Sequence, residues 1–470
     1  MAERILFLTG HLAEPRLRKI VAGLRNPPFT PVVHNIGVKV AALMTGEIIA
    51  RRLPRPVEAD RVVTPGRCRA DLEALSRDFG VPFVRGPDEL ADLAAWLGQG
   101  GRKPDLSRYD MRIFAEIVDA SQTPVDALLT RARAMRAAGA DVVDLGCLPD
   151  TPFPHMEDAI AALRAESFQV SVDSADPREL ERAVKAGAHF LLSLNVDTLS
   201  IAQGAPVTPI LTPKPHGDLD SLVAAATEAQ RRGIDAILDP ILDPIHFGFA
   251  ASLARYTALR ERLPDAEIMM GTGNLTELTE ADSAGVTAML LGVCSELGIR
   301  NLLTVQVSPH TRRTIEEHDA ARRLMFAARQ DEALPKGYGA GLLQLHDAKP
   351  FPASAADVAA LASEIRDRNY RIAVAEDGVH VFSSAMHAVA ENALDLFPAL
   401  DVAGDGAHAF YLGAEMMKAE IAFLLGKRYA QDESLDWGVG APKAVDDSTR
   451  LKEAGHTLRA TNRGAREGDV

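Results

Sequence analysis

The sequence predicts an α/β protein built on a TIM-type (β/α)8 barrel, with a small doubly wound α/β domain before it and an α+β module after it. Three observations lead there. Short apolar runs alternate with stretches of helical periodicity across residues 111–310, the pattern of buried parallel strands and their returning helices. Eight such runs can be placed in that stretch, the number that closes a barrel. Polar side chains, Asp144, Asp173, Asn195, Asp239 and Asn274, stand at or just past the C-terminal ends of five runs, where such a barrel assembles its site.

Taken in order, ILFLTG, PFTPVVHNIG, ADRVVTPG and VPFVRG read as four strands, each followed by a helical stretch such as VKVAALMTGEIIARRL or ELADLAAWLGQG. That alternation predicts a small doubly wound sheet over residues 1–104. It contains no G-x-G-x-x-G phosphate loop, and His11, His34 and Asn35 fall at strand ends. The barrel is expected over 105–330, after the polar GQGGRKPDLSRYD. Its strands are MRIFAEIVDAS, ADVVDLG, FQVSVDS, HFLLSLN, VTPILTPKPHG, IDAILD, EIMMGTGN and NLLTVQVS. Residues 331–441 form the last module, in which GYGAGLLQLHDAK reads as a strand and RIAVAEDGVHVFS as a hairpin around an Asp-Gly turn. HAVAENALDLF and HAFYLGAEMMKAEIAFLLGKRY read as helices, and 442–470 as a polar, fraying tail.

Composition narrows the function classes. The 470 residues carry 51 Lys and Arg against 65 Asp and Glu, a formal net charge of −14, which argues against broad nucleic-acid binding because phosphate neutralisation needs a basic surface. No apolar stretch approaches a bilayer span. The start lacks the basic region and small-residue site of a secretory leader, so a cytoplasmic protein is expected, as a homo-oligomer. Cys68, Cys147 and Cys294 lie far apart, without paired metal spacing, and point to a reducing compartment.

Each polar strand end has a plain alternative, because Asp and Asn also cap helices and brace loops; their joint occurrence at successive strand ends favours a binding floor. Lys214 and His216, in the loop after the fifth strand, and His310, Arg312 and Arg313, after the eighth, could hold an anion or simply form a solvated rim. His155, His216, His246 and His310 lie in the same set of loops without helix-face ligand spacing, so no metal site is expected. Cys147 reads as a small packing residue.

These runs resemble the pterin-binding superfamily of dihydropteroate synthases and pterin-dependent methyltransferases. ADVVDLG looks like its second-strand motif, VDS the third, SLN the fourth and AILDP the sixth. The resemblance implies a pterin, of dihydropterin or tetrahydromethanopterin type, held by Asp144, Asp173, Asn195, Asp239 and Asn274. A pterin presents adjacent donors on its amino group and ring nitrogen, which carboxylates accept. Two stretches depart from the synthase pattern: RIFAEIVDAS stands where an Asn-containing motif is usual, and GTGNLTEL where a Ser-Arg-Lys type motif is usual. GTGN is closer to the methyltransferases.

HAFYLGAEMMKAEIAFLLGKRYAQD resembles a module of archaeal dihydropteroate-synthase-like proteins, distantly similar to a corrinoid-carrying methyltransferase subunit, which makes His408 a candidate cobalt ligand and a corrinoid a possible cofactor. The architecture resembles dihydropteroate-synthase-like proteins linked to tetrahydromethanopterin. It implies a transferase joining a dihydropterin methyl carbon to an arylamine such as ribofuranosylaminobenzene 5'-phosphate, with Lys214, Arg312 and Arg313 steadying the departing anion. Methyl transfer to a corrinoid, or pterin carriage without catalysis, are the alternatives.

Overall fold

The computed structural model describes residues 2–24, 27–88, 90–98 and 104–442 and divides into two compact units, Met1–Ala340 and Gly341–Val470. The first begins with four parallel strands, β1 (Glu3–Thr9), β2 (Phe29–Asn35), β3 (Arg61–Thr64) and β4 (Phe83–Arg85), in the order β2-β1-β3-β4. Successive side chains of a strand point to opposite faces. Leu8 and Val62 therefore enter one core with Ile49 and Leu75, and Phe7 and Val63 another with Leu17 and Leu93. Apolar helices on both faces make the sheet doubly wound. The long helix expected over VKVAALMTGEIIARRL is broken. A short 3-10 turn, Ala41–Leu43, is followed by the helix Gly46–Arg52, whose first turn is capped by the Thr45 hydroxyl accepting from Ile48 N at 3.3 Å. Capping satisfies an orphan amide and favours a fresh start there over continuation.

Eight parallel strands then close on themselves: β5 (Arg112–Ile117), β6 (Val142–Gly146), β7 (Gln169–Asp173), β8 (Phe190–Leu194), β9 (Thr208–Leu211), β10 (Ile237–Leu238), β11 (Glu267–Gly271) and β12 (Asn301–Val305). The barrel is of the TIM type. Two of its helices start on side-chain caps, Asp176 accepting from Arg178 N and Asp218 from the amides of Asp220 and Ser221. Several stop at left-handed glycines, Gly139, Gly187 and Gly298 among them, where an L side chain would be strained. The interior is filled by Phe114, Val142, Phe190, Ile210, Ile237 and Met269, with Phe114 edge-on to Phe190 at 5.0 Å between ring centres. That plug leaves polar side chains room only at the strand ends.

In the second unit, β13 (Arg371–Ala375), β14 (Gly378–Ser383) and β15 (Met386–Ala390) form an antiparallel sheet. The helix Gly406–Leu425 buries Leu412, Met416 and Ala419 against Ile372, Val374 and Val381. The hairpin expected around Asp377-Gly378 is present. Two sequence expectations fail here. The stretch from His387, expected to open a helix, instead belongs to β15, because Ser384 and Ala385 turn the chain and the residues that follow pair with β14. GYGAGLLQLHDAK is not a strand: Gly337, Gly339 and Gly341 all take positive φ, which breaks an extended run. The tail expected from Pro442 lies, from Lys443 onward, outside the described residues.

Closure of the barrel depends on the seam between its last and first strands. β12 pairs with β5 from Asn301↔Arg112 to Val305↔Glu116, and the helix Thr314–Gln330 returns across that seam. From it the buried side chain of Arg322 donates to the Met111 carbonyl at 2.7 Å and the Gly139 carbonyl at 2.9 Å. It also pairs with Asp141 and Asp319 and lies over the Tyr109 ring at 3.6 Å. Removing one partner of a buried pair strands the others' charge and typically costs about 3–5 kcal/mol. Arg322→Leu is therefore expected to lower the urea-unfolding free energy of the barrel by roughly that amount, and Arg323→Leu, whose side chain is more exposed, by far less.

Candidate functional site

Alternation along β5 puts Glu116 on the same interior face as Phe114, two residues beyond the apolar plug. Strand register does the rest. Glu116 stands opposite Asp144 on β6, Asp144 opposite Ser171 on β7, and Gly146 opposite Asp173. One carboxylate oxygen from each of Glu116, Asp144 and Asp173 lies within 4.8 Å of the others. The missing side chain at Gly146 makes the space, because a Cβ there would sit 2.6 Å from Glu116 Oε1. Asp144 is fully buried; its Oδ1 accepts from the Ser171 hydroxyl, and its Oδ2 has no partner. Asp173 Oδ1 accepts from Ser193 Oγ at 2.8 Å. A register shift in β8 between Leu191 and Leu194, with Ser193 at φ 66°, delivers that hydroxyl; bulges often re-aim a side chain at barrel rims.

Asp239 completes the acidic floor. It follows β10, where Pro240 ends the pairing, and its Oδ1 accepts from Ile241 N at 2.8 Å and Tyr256 OH at 2.9 Å. Burial pushes Asp239 up to about 6, against the pull of those two hydrogen bonds. Burial, with the Asp173 charge adding to it, raises Glu116 to about 7. Asp144 is held well above the usual carboxylate range by burial and then by Glu116 and Asp173, and burial raises Asp173 despite the Ser193 hydroxyl. Near neutrality the mouth therefore keeps protons that free carboxylates would have lost. Such a group can accept from a donor-rich ligand edge, hand over a proton, or, once deprotonated, ligate a divalent cation through Glu116, Asp144 and Asp173.

The remaining candidates are placed around this floor. Asn195 turns its Oδ1 into its own loop, accepting from Asp197 N at 3.0 Å. Asn274 Nδ2 donates to the Leu242 carbonyl at 2.7 Å, tying the loop after β11 to the loop after β10. Behind it, buried His318 is pushed down to about 4 by desolvation and is neutral. With Nδ1 donating to Thr314 O at 2.7 Å, its Nε2 accepts the Thr272 hydroxyl at 2.9 Å, which fixes the start of the GTGN turn.

The basic candidates are engaged in different loops. Lys214 Nζ pairs with Asp197 at 2.6 Å, Arg313 with Glu316 at 2.7 Å, and exposed Arg312 donates to the Pro309 carbonyl at 3.3 Å. β9 and β12, which carry these loops, are separated by β10 and β11. His216 and Arg255 both pair with Asp243, at 2.7 Å each. His155 and His310 bond carbonyls of Thr123 and Thr276, and His246 sits at φ 68°. Burial pushes the Cys147 thiol up, so it is no ready nucleophile. In the second unit, the His408 ring stacks on Tyr411 at 6.4 Å and lies 5.9 Å from the Tyr370 ring.

Sequence reading missed Glu116, Ser171, Ser193, Tyr256 and His318. Glu116 did leave a signal, as the one acid inside an otherwise apolar first-strand core, IFAEIV.

A sequence family described as a family of unknown function, DUF6513, matches residues 3–88, the N-terminal sheet. An uncharacterized protein of Methanocaldococcus jannaschii is 25% identical over 531 aligned positions, covering 92% of this chain and 99% of that protein. Among solved structures, dihydropteroate synthase from Thermus thermophilus overlays with 23% identity and a TM-score of 0.37, over 47% of this chain and 95% of that one. The Xanthomonas albilineans synthase, solved in complex with 7,8-dihydropteroate, gives 22% identity and 0.37 over 49% and 96%. Overlays at that score add nothing to the strand pairing, on which the barrel assignment rests. No described helix is long and apolar enough to cross a membrane.

The raised carboxyls make stability depend on pH. A carboxyl whose folded pKa lies above its unfolded value binds more protons in the folded state, so stability falls as pH rises through that window. For Glu116 the window runs from its ordinary value of 4.5 to about 7. Glu116→Gln is expected to flatten the decline in unfolding free energy between pH 5 and pH 8 by at least the ~1.4 kcal/mol that one pKa unit represents, measured by denaturant titration at each pH.

Proposed function

We propose that the barrel mouth binds a pterin and that the protein is a pterin-dependent transferase. The observation that carries this is the acidic floor: Asp144, with one buried oxygen unpartnered, beside Asp173 and Asp239 at the ends of neighbouring and facing strands. An amino-pyrimidine edge brings adjacent N–H donors that such oxygens accept, and a site with buried acceptors rejects analogues lacking those donors. The motifs VDS, SLN and AILDP, similar to those of pterin-binding barrels, support the same reading. Asn195 and Asn274 would flank the ring from the loops after β8 and β11.

The first reaction we propose is condensation, in tetrahydromethanopterin-type cofactor synthesis. The amine nitrogen of an arylamine, such as ribofuranosylaminobenzene 5'-phosphate, bonds to the pterin methylene as its C–O bond to diphosphate breaks. Diphosphate leaves with the bonding pair, and the amine gives up a proton that a deprotonated floor carboxylate can take. Lys214, Arg312 and Arg313 would steady the anion, on exchanging their present partners. A specific observation favours a second reading, methyl transfer from a methylated pterin to a reduced corrinoid. The ring nitrogen that loses a methyl cation must gain a proton, and Glu116, raised to about 7, still holds one near neutrality; the GTGN turn points the same way.

Two measurements test these readings. In calorimetric titration with a dihydropterin, Asp173→Asn and Asp239→Asn are each expected to weaken binding by about 1–3 kcal/mol, the cost of leaving a buried partner unsatisfied, while the variants stay folded by circular dichroism. In single-turnover assays, a pterin diphosphate with an arylamine is run beside a methylated pterin with a reduced corrinoid. For methyl transfer, Asn274→Ala should lower turnover more than ground-state binding; for condensation it should chiefly weaken binding. Tight pterin binding without turnover of either pair would leave a carrier and overturn both reactions.

A further inference from the structure

The N-terminal sheet carries its own crevice, away from the barrel mouth. In the order β2-β1-β3-β4 the sense in which strands are added to the sheet reverses between β1 and β3, and ligands of open α/β sheets bind at that switch point, outside the carboxyl ends of the strands. A cavity of about 270 Å³ lies there, with Phe7, Leu8, Leu12, Val40 and Val63 among its apolar walls. A second space adjoins it, with Gly66, Arg67 and Asp88 in the walls of both and Arg69 and Arg85 in its own. Gly66 lets the loop after β3 pack closely on the loop after β4, because a Cβ there would meet the Pro87 backbone at 2.4 Å. Ala333, Leu334 and Lys336 form part of the wall. They follow the last barrel helix, whose end lies at the face opposite the barrel mouth.

The charges around this crevice run against those of the chain. Among the described residues lining the two adjoining spaces, five are cationic, Arg16, Arg67, Arg69, Arg85 and Lys336, and one is a carboxylate, Asp88, in a protein of net charge −14. Some are already positioned. Arg16 donates to the Lys336 carbonyl at 3.2 Å and lies over the Tyr338 ring, and Arg85 donates to the Gly66 carbonyl at 3.2 Å. An apolar compartment large enough for one ring system, opening onto arginines, fits a flat apolar body with an anionic end.

We propose that this crevice is a second ligand site, built for a small phosphorylated aromatic molecule: the ring in the apolar compartment, the phosphate among Arg67, Arg69 and Arg85. The assignment is independent of the pterin reading. The full-length protein is titrated calorimetrically with 1-naphthyl phosphate, 1-naphthol, inorganic phosphate and adenosine monophosphate. A phosphorylated aromatic should bind at least ten-fold tighter than naphthol or phosphate. Preference between the naphthyl and adenosine compounds then tells an aryl phosphate from a nucleotide. The double change Arg67→Ala with Arg69→Ala, at exposed positions, should weaken it ten-fold or more. Val40→Trp, filling the apolar compartment from its exposed edge, should abolish it. Asp239→Asn at the barrel mouth should leave it unchanged. Binding of phosphate alone as tight as the aromatic phosphate, loss in Asp239→Asn with retention in the crevice variants, or no binding of any probe would each overturn the proposal.

Discussion

Closure of the barrel across the β12–β5 seam is the constraint from which the rest follows. Register between parallel strands cannot slip by one residue without sending every side chain to the opposite face. Arg322 holds the entry points of β5 and β6 by their carbonyls and by Asp141, so the two strands start level. Glu116 then lies opposite Asp144. An ion cluster at the closed end of the barrel thus sets the geometry of the open end, a strand's length away.

What that geometry assembles is unfavourable by itself. Carboxyl groups drawn out of water beside one another resist ionisation, and Asp144 keeps an unpartnered oxygen inside the protein. The surrounding structure offsets this with the Ser171 and Ser193 hydroxyls, the Tyr256 hydroxyl and the Ile241 amide. Ser193 takes a left-handed backbone to do so. Raised carboxyls and a strained serine gathered at the strand C-terminal ends cost stability there, which is the pattern expected where a barrel gives up stability for binding.

Much of this was legible in the sequence. The eight strands, the doubly wound sheet and the polar residues at strand ends follow from apolar runs and turn residues, because parallel strands are buried on both faces and advertise themselves. The broken helix near Thr45 and the third strand at Met386–Ala390 were missed although their signals are local, a hydroxyl capping an amide three residues on and a two-residue turn at Ser384-Ala385, because apolar periodicity alone runs through both. Glu116 was overlooked for another reason. Its meaning depends on the residue across the strand, and a single chain read linearly does not show which acids share a layer. Ser193 and His318 act through a register shift and a buried tautomer, neither of which has a local sequence signature. The basic loops are a different case: Lys214 and Arg313 were read from their charge, and the structure gives each of them an acidic companion.

The crowding of Glu116, Asp144 and Asp173 also makes the mouth directional. As these groups lose protons, negative potential grows toward the barrel floor and fades toward the loops, where Lys214, Arg312 and Arg313 stand. A molecule with a donor-rich edge at one end and an anion at the other meets a gradient rather than a uniform cavity, and only one insertion lowers its energy. The wrong orientation would press its anion against three carboxylates. A guest of the proposed kind would therefore be sorted by pose before any single hydrogen bond is made, and more sharply as the pH rises.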